Sequence, residues 1–490
     1  MDKVRIYVYP TSIEIVASPY GQVRGGGNIS KSIRDMSEFE FNRQLQKWKF
    51  KHAYYLINEN AGTLVFPRQM LSSIISELKT QKLPYSLEYP EIKTPRSIAA
   101  NMRPEWTDRP EQESVISALT QTKFSMYGSD LQTGKGKTYC TFRVISTLRV
   151  ATLIVVDGLV EQWIKEFSEK TLIPPDKVYR IQGAESILRL LQMKPNEYPS
   201  VYVASLDTLM PYIQAQVSPY KDWIPYQKFI EMHGIGLKII DEVHLNFQAL
   251  VNLDLRSKIM HNRYLSATPE RSKSSEGRIF EKIYPPKMFV GGEKYDKYVH
   301  LTFYKYQIPV EKPKRFITQH GYNHLKYEMY MVNNRAKCFV FLQTVVFPAV
   351  HNHFLAKRKP EQRMLIFASS VMMCEAIRDG LLQEYPHLDV RTFVSGDPLT
   401  NLDADIIVGT PKSCGTGRDI ADLLTVLNTC SINADPTIKQ MLGRLRKLKN
   451  GDVPEYIDTV NTVLDRQYAH YKNRKQIYKE KALKYEEFAI

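Results

Sequence analysis

Apolar and polar residues alternate in "KVRIYVYPTSIEIVA", two runs on either side of Pro10-Thr11-Ser12, a pattern that predicts an antiparallel hairpin. The alternation returns in "KWKFKHAYYLINENAGTLVF", with Asn60-Ala61-Gly62 as the turn. Pro67 then opens a helical stretch, "PRQMLSSIISELKTQ", whose Leu71, Ile74, Ile75 and Leu78 share one stripe. Residues 1–97 therefore read as a small, self-contained α/β unit. The proline-rich "YPEIKTPRS" at 89–97 reads as the linker that ends it.

Beyond the linker the period changes. Short apolar runs, "ATLIVV" (151–156), "SVYVAS" (200–205), "GLKIID" (236–241) and "RYLSAT" (263–268), alternate with helical stretches. A second series follows: "MLIFAS" (364–369), "DVRTFVS" (389–395), "ADIIVGT" (404–410) and "LTVLNTC" (424–430). Continuous apolar runs between helices predict parallel strands buried on both faces. The expectation is an α/β chain with two similar parallel-sheet domains, 98–297 and 298–490, the second covered by a Tyr- and Phe-rich helical section at 320–358.

A length of 490 residues suits such a multidomain chain, and its net charge of +15 favours a polyanionic partner, most simply nucleic acid. A merely basic soluble protein is the alternative. Five scattered cysteines (Cys140, Cys338, Cys374, Cys414, Cys430) show no C-x-x-C pairing and predict neither a zinc site nor a disulfide framework. The start "MDKVRIYVYP" lacks the apolar core of a signal peptide, and no run reads as long enough to cross a bilayer. The expected location is the cytoplasm, with no membrane partner.

The stretch "LQTGKGKT" (131–138) concentrates glycine and positive charge where a strand meets a helix, the place where phosphates bind. Gly136, Lys137 and Thr138 satisfy the end of the P-loop pattern G-x-x-x-x-G-K-[ST], but Leu131 stands where its first glycine belongs. Gly134, between Thr133 and Lys135, restores freedom within the loop. The competing reading is a lysine-rich helix start. It loses ground at "LKIIDEVH", where a buried-strand run ends in Asp241-Glu242-Val243-His244. With ATP bound, Asp241 and Thr138 suit a magnesium ion, and Glu242 suits the activation of the attacking water.

The order "DRPEQES", "LQTGKGKT", "DEVH", "LSATPE", "LIFASS", "VGTPKSCGTGRDI", "QMLGRLRK" resembles the motif series of superfamily 2 helicases over residues 105–450. The resemblance implies two RecA-like domains that use ATP and Mg2+ to act on nucleic acid. It makes Gln112, with Arg109, the adenine-reading motif, and joins His244, Ser266 and Thr268 in coupling hydrolysis to movement. Thr410, Gly415, Thr416, Gly417 and Asp419 become contacts to the sugar-phosphate backbone and the nucleotide. Gln440, Gly443 and Arg444 become the arginine-finger motif. This chain has Arg446 and Lys447 where the family places a second arginine at the latter position, so Arg446 is a displaced candidate.

The N-terminal stretch from "EFNRQLQKWKF" to "SLEYP" is similar in pattern to the start of phage UvsW-type helicases. Those enzymes reverse forks, migrate junctions and anneal strands, which implies a DNA helicase or translocase of replication, recombination and repair acting on branched DNA. If 47–52 form a strand, Lys47, Lys49 and Lys51 share one face for phosphates, while Trp48 and Phe50 take the other and pack in a core. Arg43, His52 and Tyr54 extend this basic and aromatic cluster. At the C-terminus, Tyr471, Tyr478 and Tyr485 fall on one face of an expected basic helix, with Lys472, Arg474, Lys475 and Lys479 available to a DNA path. Poxviral transcript-release helicases share the compact size and a similar "GTG-D-I" motif, so an RNA-directed or transcript-releasing ATPase is the alternative. A non-catalytic clamp is a second, opposed by the intact Lys137, Thr138, Asp241, Glu242 and Arg444.

Overall fold

Alternation at the N-terminus gives a five-stranded mixed sheet. Its strands are β1 (Val4–Val8), β2 (Ser12–Val16), β5 (Leu56–Asn58), β6 (Thr63–Pro67) and β7 (Tyr85–Glu88), in the order β5-β6-β2-β1-β7. Between β2 and β5 the chain forms a separate antiparallel ribbon, β3 (Ser37–Asn42) with β4 (Lys47–Ala53). The helix α1 (Leu71–Thr80) buries Ile74 and Leu78. The computed structural model describes residues 3–490 except 17–28, 43–46, 59–61, 132–134, 158–159, 215–223, 267–274, 292–296, 319–320, 415–419 and 449.

The chain divides into two compact units, Met1–Gly292 and Glu293–Ile490. In the first, seven parallel strands follow the linker: β8 (Met126–Ser129), β9 (Thr152–Val156), β10 (Val178–Ile181), β11 (Val201–Ser205), β12 (Leu237–Ile240), β13 (His261–Leu265) and β14 (Phe289–Val290). Their order is β10-β11-β9-β12-β13-β8-β14. Every residue of β9, β11 and β12 is buried, as expected of strands covered on both faces. Because the strands are parallel, the segments after β8, β12 and β13 leave from one edge of the sheet, and these carry the motifs.

The N-terminal sheet is not self-contained. Its Ile6, Ile13, Phe66 and Ile74 join one continuous core with Leu250, Phe280 and Tyr284 of the parallel-sheet domain. Tyr54, 2% exposed, stacks on Phe247 at 4.9 Å, and Thr11 Oγ1 donates to the carbonyls of Asp254 (2.8 Å) and Ser257 (3.0 Å). The stretch 89–97 is fixed as well, since the Arg96 N–H donates to the Gly234 carbonyl at 2.8 Å. Beneath this junction lies a buried ion pair. Lys238 Nζ meets Asp254 Oδ1 at 2.6 Å, while Tyr264 and Tyr284 donate to Asp254 Oδ2 at 2.9 and 2.8 Å.

The second unit holds β15 (Val299–Tyr306), a two-residue ribbon of β16 (Ile317–Thr318) and β17 (Gly321–Tyr322), β18 (Arg363–Phe367), β19 (Val390–Phe393), β20 (Ile406–Gly409), β21 (Leu423–Asn428), β22 (Glu455–Asn461) and β23 (Ala482–Ala489). Its parallel sheet runs β19-β20-β18-β21-β22-β15-β23. One helical run, Arg335–Leu355, has 21 residues and is apolar enough by length and composition to cross a bilayer, contrary to the expectation that none is. Here it is a core element, with Val345, Val346, Ala349, Val350 and Phe354 buried among the sheet's side chains.

Two C-terminal expectations are corrected. The helix there stops at Lys479 (Asp465–Lys479), and Tyr485 lies on the edge strand β23, so the three tyrosines do not share a helix face. Arg474 lines no surface path: it is 1% exposed and makes a bidentate bond to buried Asp458. Burial of an arginine demands such a partner, because an unpaired buried charge costs several kcal/mol.

Candidate nucleotide site and nucleic-acid surface

The loop after β8 turns into α2 (Lys137–Leu148) through Gly136, whose φ of +88° suits glycine. A Cβ at this position would also collide with the Gln112 side chain. Gln112 itself is 2% exposed on the helix Pro110–Thr120, where its Oε1 accepts from the Arg109 N–H (3.0 Å) and its Nε2 donates to the Lys135 carbonyl (2.8 Å). The glutamine therefore braces the loop from behind, and Arg109 is exposed at the helix start. Leu131, the departure from the P-loop pattern, is 3% exposed within the core that contains Val115 and Ile116, which accounts for an apolar residue there.

The acidic cluster follows β12. Lys137 Nζ lies 2.8 Å from Glu242 Oε1, the other Glu242 oxygen lies 3.4 Å from His244 Nδ1, and that nitrogen lies 2.7 Å from Ser266 Oγ. One polar chain thus joins the loop to the ends of β12 and β13. Glu242 sits at φ +50°, a left-handed conformation that costs a non-glycine residue about 1–2 kcal/mol. Burial pushes the Asp241 carboxyl up to about 6 and the Glu242 charge adds to this, while Lys137 and a hydrogen bond from Trp163 oppose it. Trp163, 3% exposed, is a supporting residue that no motif marked. Asp108 is another, tying the segment before Gln112 to α2 by accepting from Tyr139 (2.7 Å) and pairing with Arg143 (2.8 Å).

This donor set fits a nucleoside triphosphate with magnesium. The Glu242 carboxylate occupies Lys137 as a phosphate would, and Thr138 and Asp241, adjacent to these two in the chain, bring hard oxygen donors. Thr133, Gly134 and Thr268 lie outside the described residues, as do Gly415, Thr416, Gly417 and Asp419.

In the second unit, Thr410 follows β20 and receives the Ser413 N–H on its Oγ1 at 3.2 Å. Gln440 lies in the last turn of the helix Asp435–Leu442, and past the helix Arg444 is 8% exposed, Arg446 half-buried and Lys447 exposed.

The β3–β4 ribbon carries the predicted basic strand, and Lys47 and Lys49 are exposed. Lys51 pairs with Glu38 at 3.0 Å, because a register shift between Glu38 and Phe39 breaks the regular alternation. Phe50 does not pack in a core. It is 57% exposed and forms an edge-to-face pair with Phe39, itself 39% exposed, at 6.0 Å. The ribbon is a sheet separate from the five-stranded one, and among the described residues no layer buries the Phe39–Phe50 pair.

Residues 105–271 match the family model described as type III restriction enzyme, res subunit. That span holds the P-loop and the acidic cluster. The chain resembles the superfamily 2 helicases. No curated protein matches it by sequence. Among solved structures, a fragment of a putative HsdR subunit of a type I restriction enzyme from Vibrio vulnificus YJ016 aligns over 100% of this chain and 93% of its own, with TM-score 0.51 and 12% identity. The crystal structure of T4 UvsW aligns over 100% and 99%, with TM-score 0.38 and 16% identity. The fold is two RecA-like parallel-sheet domains preceded by a small α/β region, and with the family match it supports a helicase-type ATPase.

Proposed function

We propose that the protein is an ATP-dependent DNA helicase or translocase that remodels forked or branched DNA in replication, recombination and repair, acting in the cytoplasm. The observation that carries the ATPase part is the polar chain Lys137–Glu242–His244–Ser266 at the ends of parallel strands. Lys137 exchanges its carboxylate for the β- and γ-phosphates of ATP, and the released Glu242 turns to the attacking water as general base. Asp241 and Thr138 would hold magnesium, which supplies neutralisation of phosphate charge. Gln112 and Arg109 read the adenine, with Thr133, Gly134, Lys135 and Gly136 around the phosphates. The link through His244 to Ser266, with Thr268, transmits the change to the strand end that carries them.

Charge from the second unit completes the reading. Arg444, with Arg446 as a displaced second finger and with Gln440, Gly417 and Asp419, supplies positive charge to the γ-phosphate during its transfer. Thr410 and Thr416 hold the nucleic-acid backbone.

The preference for branched DNA is supported by the ribbon, where exposed Lys47 and Lys49 lie on a strand with exposed Phe50. Phosphates suit the lysines, as they also suit Lys51 when it leaves Glu38, and unpaired bases suit the two phenylalanines. The test compares ATPase stimulation and binding on single-stranded DNA, forks, four-way junctions and RNA, for wild type and for Lys47→Ala/Lys49→Ala. The variant should lose fork and junction affinity more than single-strand affinity, with a salt slope smaller by about two units. Stronger stimulation by RNA than by any DNA would favour the transcript-releasing alternative and sink this reading.

A further inference from the structure

The last strand of the second sheet is unusual for an edge. Strand β23 pairs on one side with β15, is last in the sheet order, and exposes seven of its eight residues, Leu483 (52%), Tyr485 (48%) and Phe488 (42%) among them. Long exposed edges recruit other strands, and proteins commonly blunt them with proline, bulges or lysine. β23 has one register shift, at Leu483, and one lysine, Lys484; from Lys484 onward it keeps regular register with β15 and contains no proline.

The register says which backbone groups remain available. The Ile490 N–H donates to the Lys305 carbonyl at 2.9 Å, and Lys305 is aligned with Ala489. In a parallel ladder, residues that bond inward alternate with residues that bond outward. Lys484, Glu486 and Phe488 therefore point their backbone groups at β15, and Tyr485 and Glu487 point theirs away from the sheet. Lys484 and Glu486 already meet as an ion pair, so both project from one face.

We propose that β23 joins the same strand of a second copy of this chain, antiparallel, about a two-fold axis through Tyr485. In this register the two Tyr485 residues exchange N–H···O=C bonds. On either side Lys484 of one copy faces Glu486 of the other, at positions where opposed Cα atoms lie about 4.5 Å apart. Centring the axis on Lys484, Glu486 or Glu487 instead sets identical charges opposite each other, which is destabilising. The sequence "LKYEE" is thus self-complementary at one centre, and this favours a second copy over an unrelated strand. The product is an isologous dimer with one sheet running through both copies.

Sedimentation of the full chain across micromolar concentrations tests this. Wild type should dimerise reversibly. Lys484→Glu and Glu486→Lys should each weaken the dimer roughly tenfold or more, since both symmetric pairs become repulsive. Combining the two changes in one chain should restore the dimer, and mixing the two single variants should give a heterodimer. Tyr485→Pro removes an outward N–H and should abolish association, while ATPase activity stays at the wild-type monomer level. A monomeric wild type overturns the proposal, as does a dimer indifferent to these substitutions. A strand supplied by another protein in place of a second copy would overturn it too.

Discussion

Among the lysine–carboxylate pairs of the first unit, Lys238–Asp254 and Lys137–Glu242 are built for opposite ends. Lys238 and Asp254 meet at 2.6 Å with side chains 0% and 5% exposed, and tyrosine hydroxyls and Ser257 answer their remaining polar atoms. Lys137 and Glu242 meet at 2.8 Å with side chains 11% and 22% exposed, and Glu242 holds a left-handed backbone. Both are good ion pairs by distance. The first has no alternative partner and fixes the core where the N-terminal sheet docks. The second sits where the loop after β8 meets the end of β12, and in the proposed function a phosphate takes the place of its carboxylate. Surroundings, not separation, distinguish a structural pair from an exchangeable one.

Substitutions sharpen the contrast. Lys137→Ala should lower ATP turnover by on the order of a thousandfold or more while thermal unfolding stays near wild type. Turnover near wild type in that variant would end the nucleotide-site reading. Glu242→Gln should also stop turnover, yet nucleotide affinity measured by titration should rise or hold, because Lys137 loses its internal competitor. Lys238→Ala should do the reverse. It strands Asp254 in the core at a cost of about 3–5 kcal/mol, read as a lowered Tm, with turnover per folded molecule little changed.

A third carboxylate, in the second unit, gives the smallest effect. Burial alone would raise the Glu455 carboxyl, but hydrogen bonds and charge from His353, Lys357 and Thr302 bring it down to about 2 from an ordinary 4.5. A lowered folded-state value means stability fully present above about 4.5 and lost as pH falls toward 2. Glu455→Gln should therefore flatten the acid limb of the second unit's unfolding curve between those values. An unchanged limb would show that the pair is not what acid breaks.

Much of this organisation is legible in residue patterns. Buried parallel strands announce themselves as apolar runs, and the loop and "DEVH" motifs, 105 residues apart, meet through Lys137 and Glu242 as their residue types suggest. Other features depend on tertiary context that no local pattern carries. Phe50 alternates with lysines as a core residue would, but among the described residues no layer buries that face of the ribbon. "KALKYEEF" contains good helix formers and no proline or glycine to stop them, yet the exposed edge of β15 draws it into the sheet. Arg474 looks like one more surface cation until Asp458 is placed beneath it. Trp163 and Asp108 support the site through contacts between segments that sequence spacing does not link.

The core shared by the N-terminal sheet and the first parallel-sheet domain sets an order on synthesis. Thr11 finds its carbonyl partner at Asp254, 243 residues later. At translation rates of about 5–20 residues per second, that partner emerges roughly 12–50 s after Thr11. Through that interval the first strands have made their hairpin but still lack the surface that covers Ile6, Ile13 and Phe66. The N-terminal strands therefore wait with Ile6, Ile13 and Phe66 uncovered until the later helices and strands of the first unit have been made.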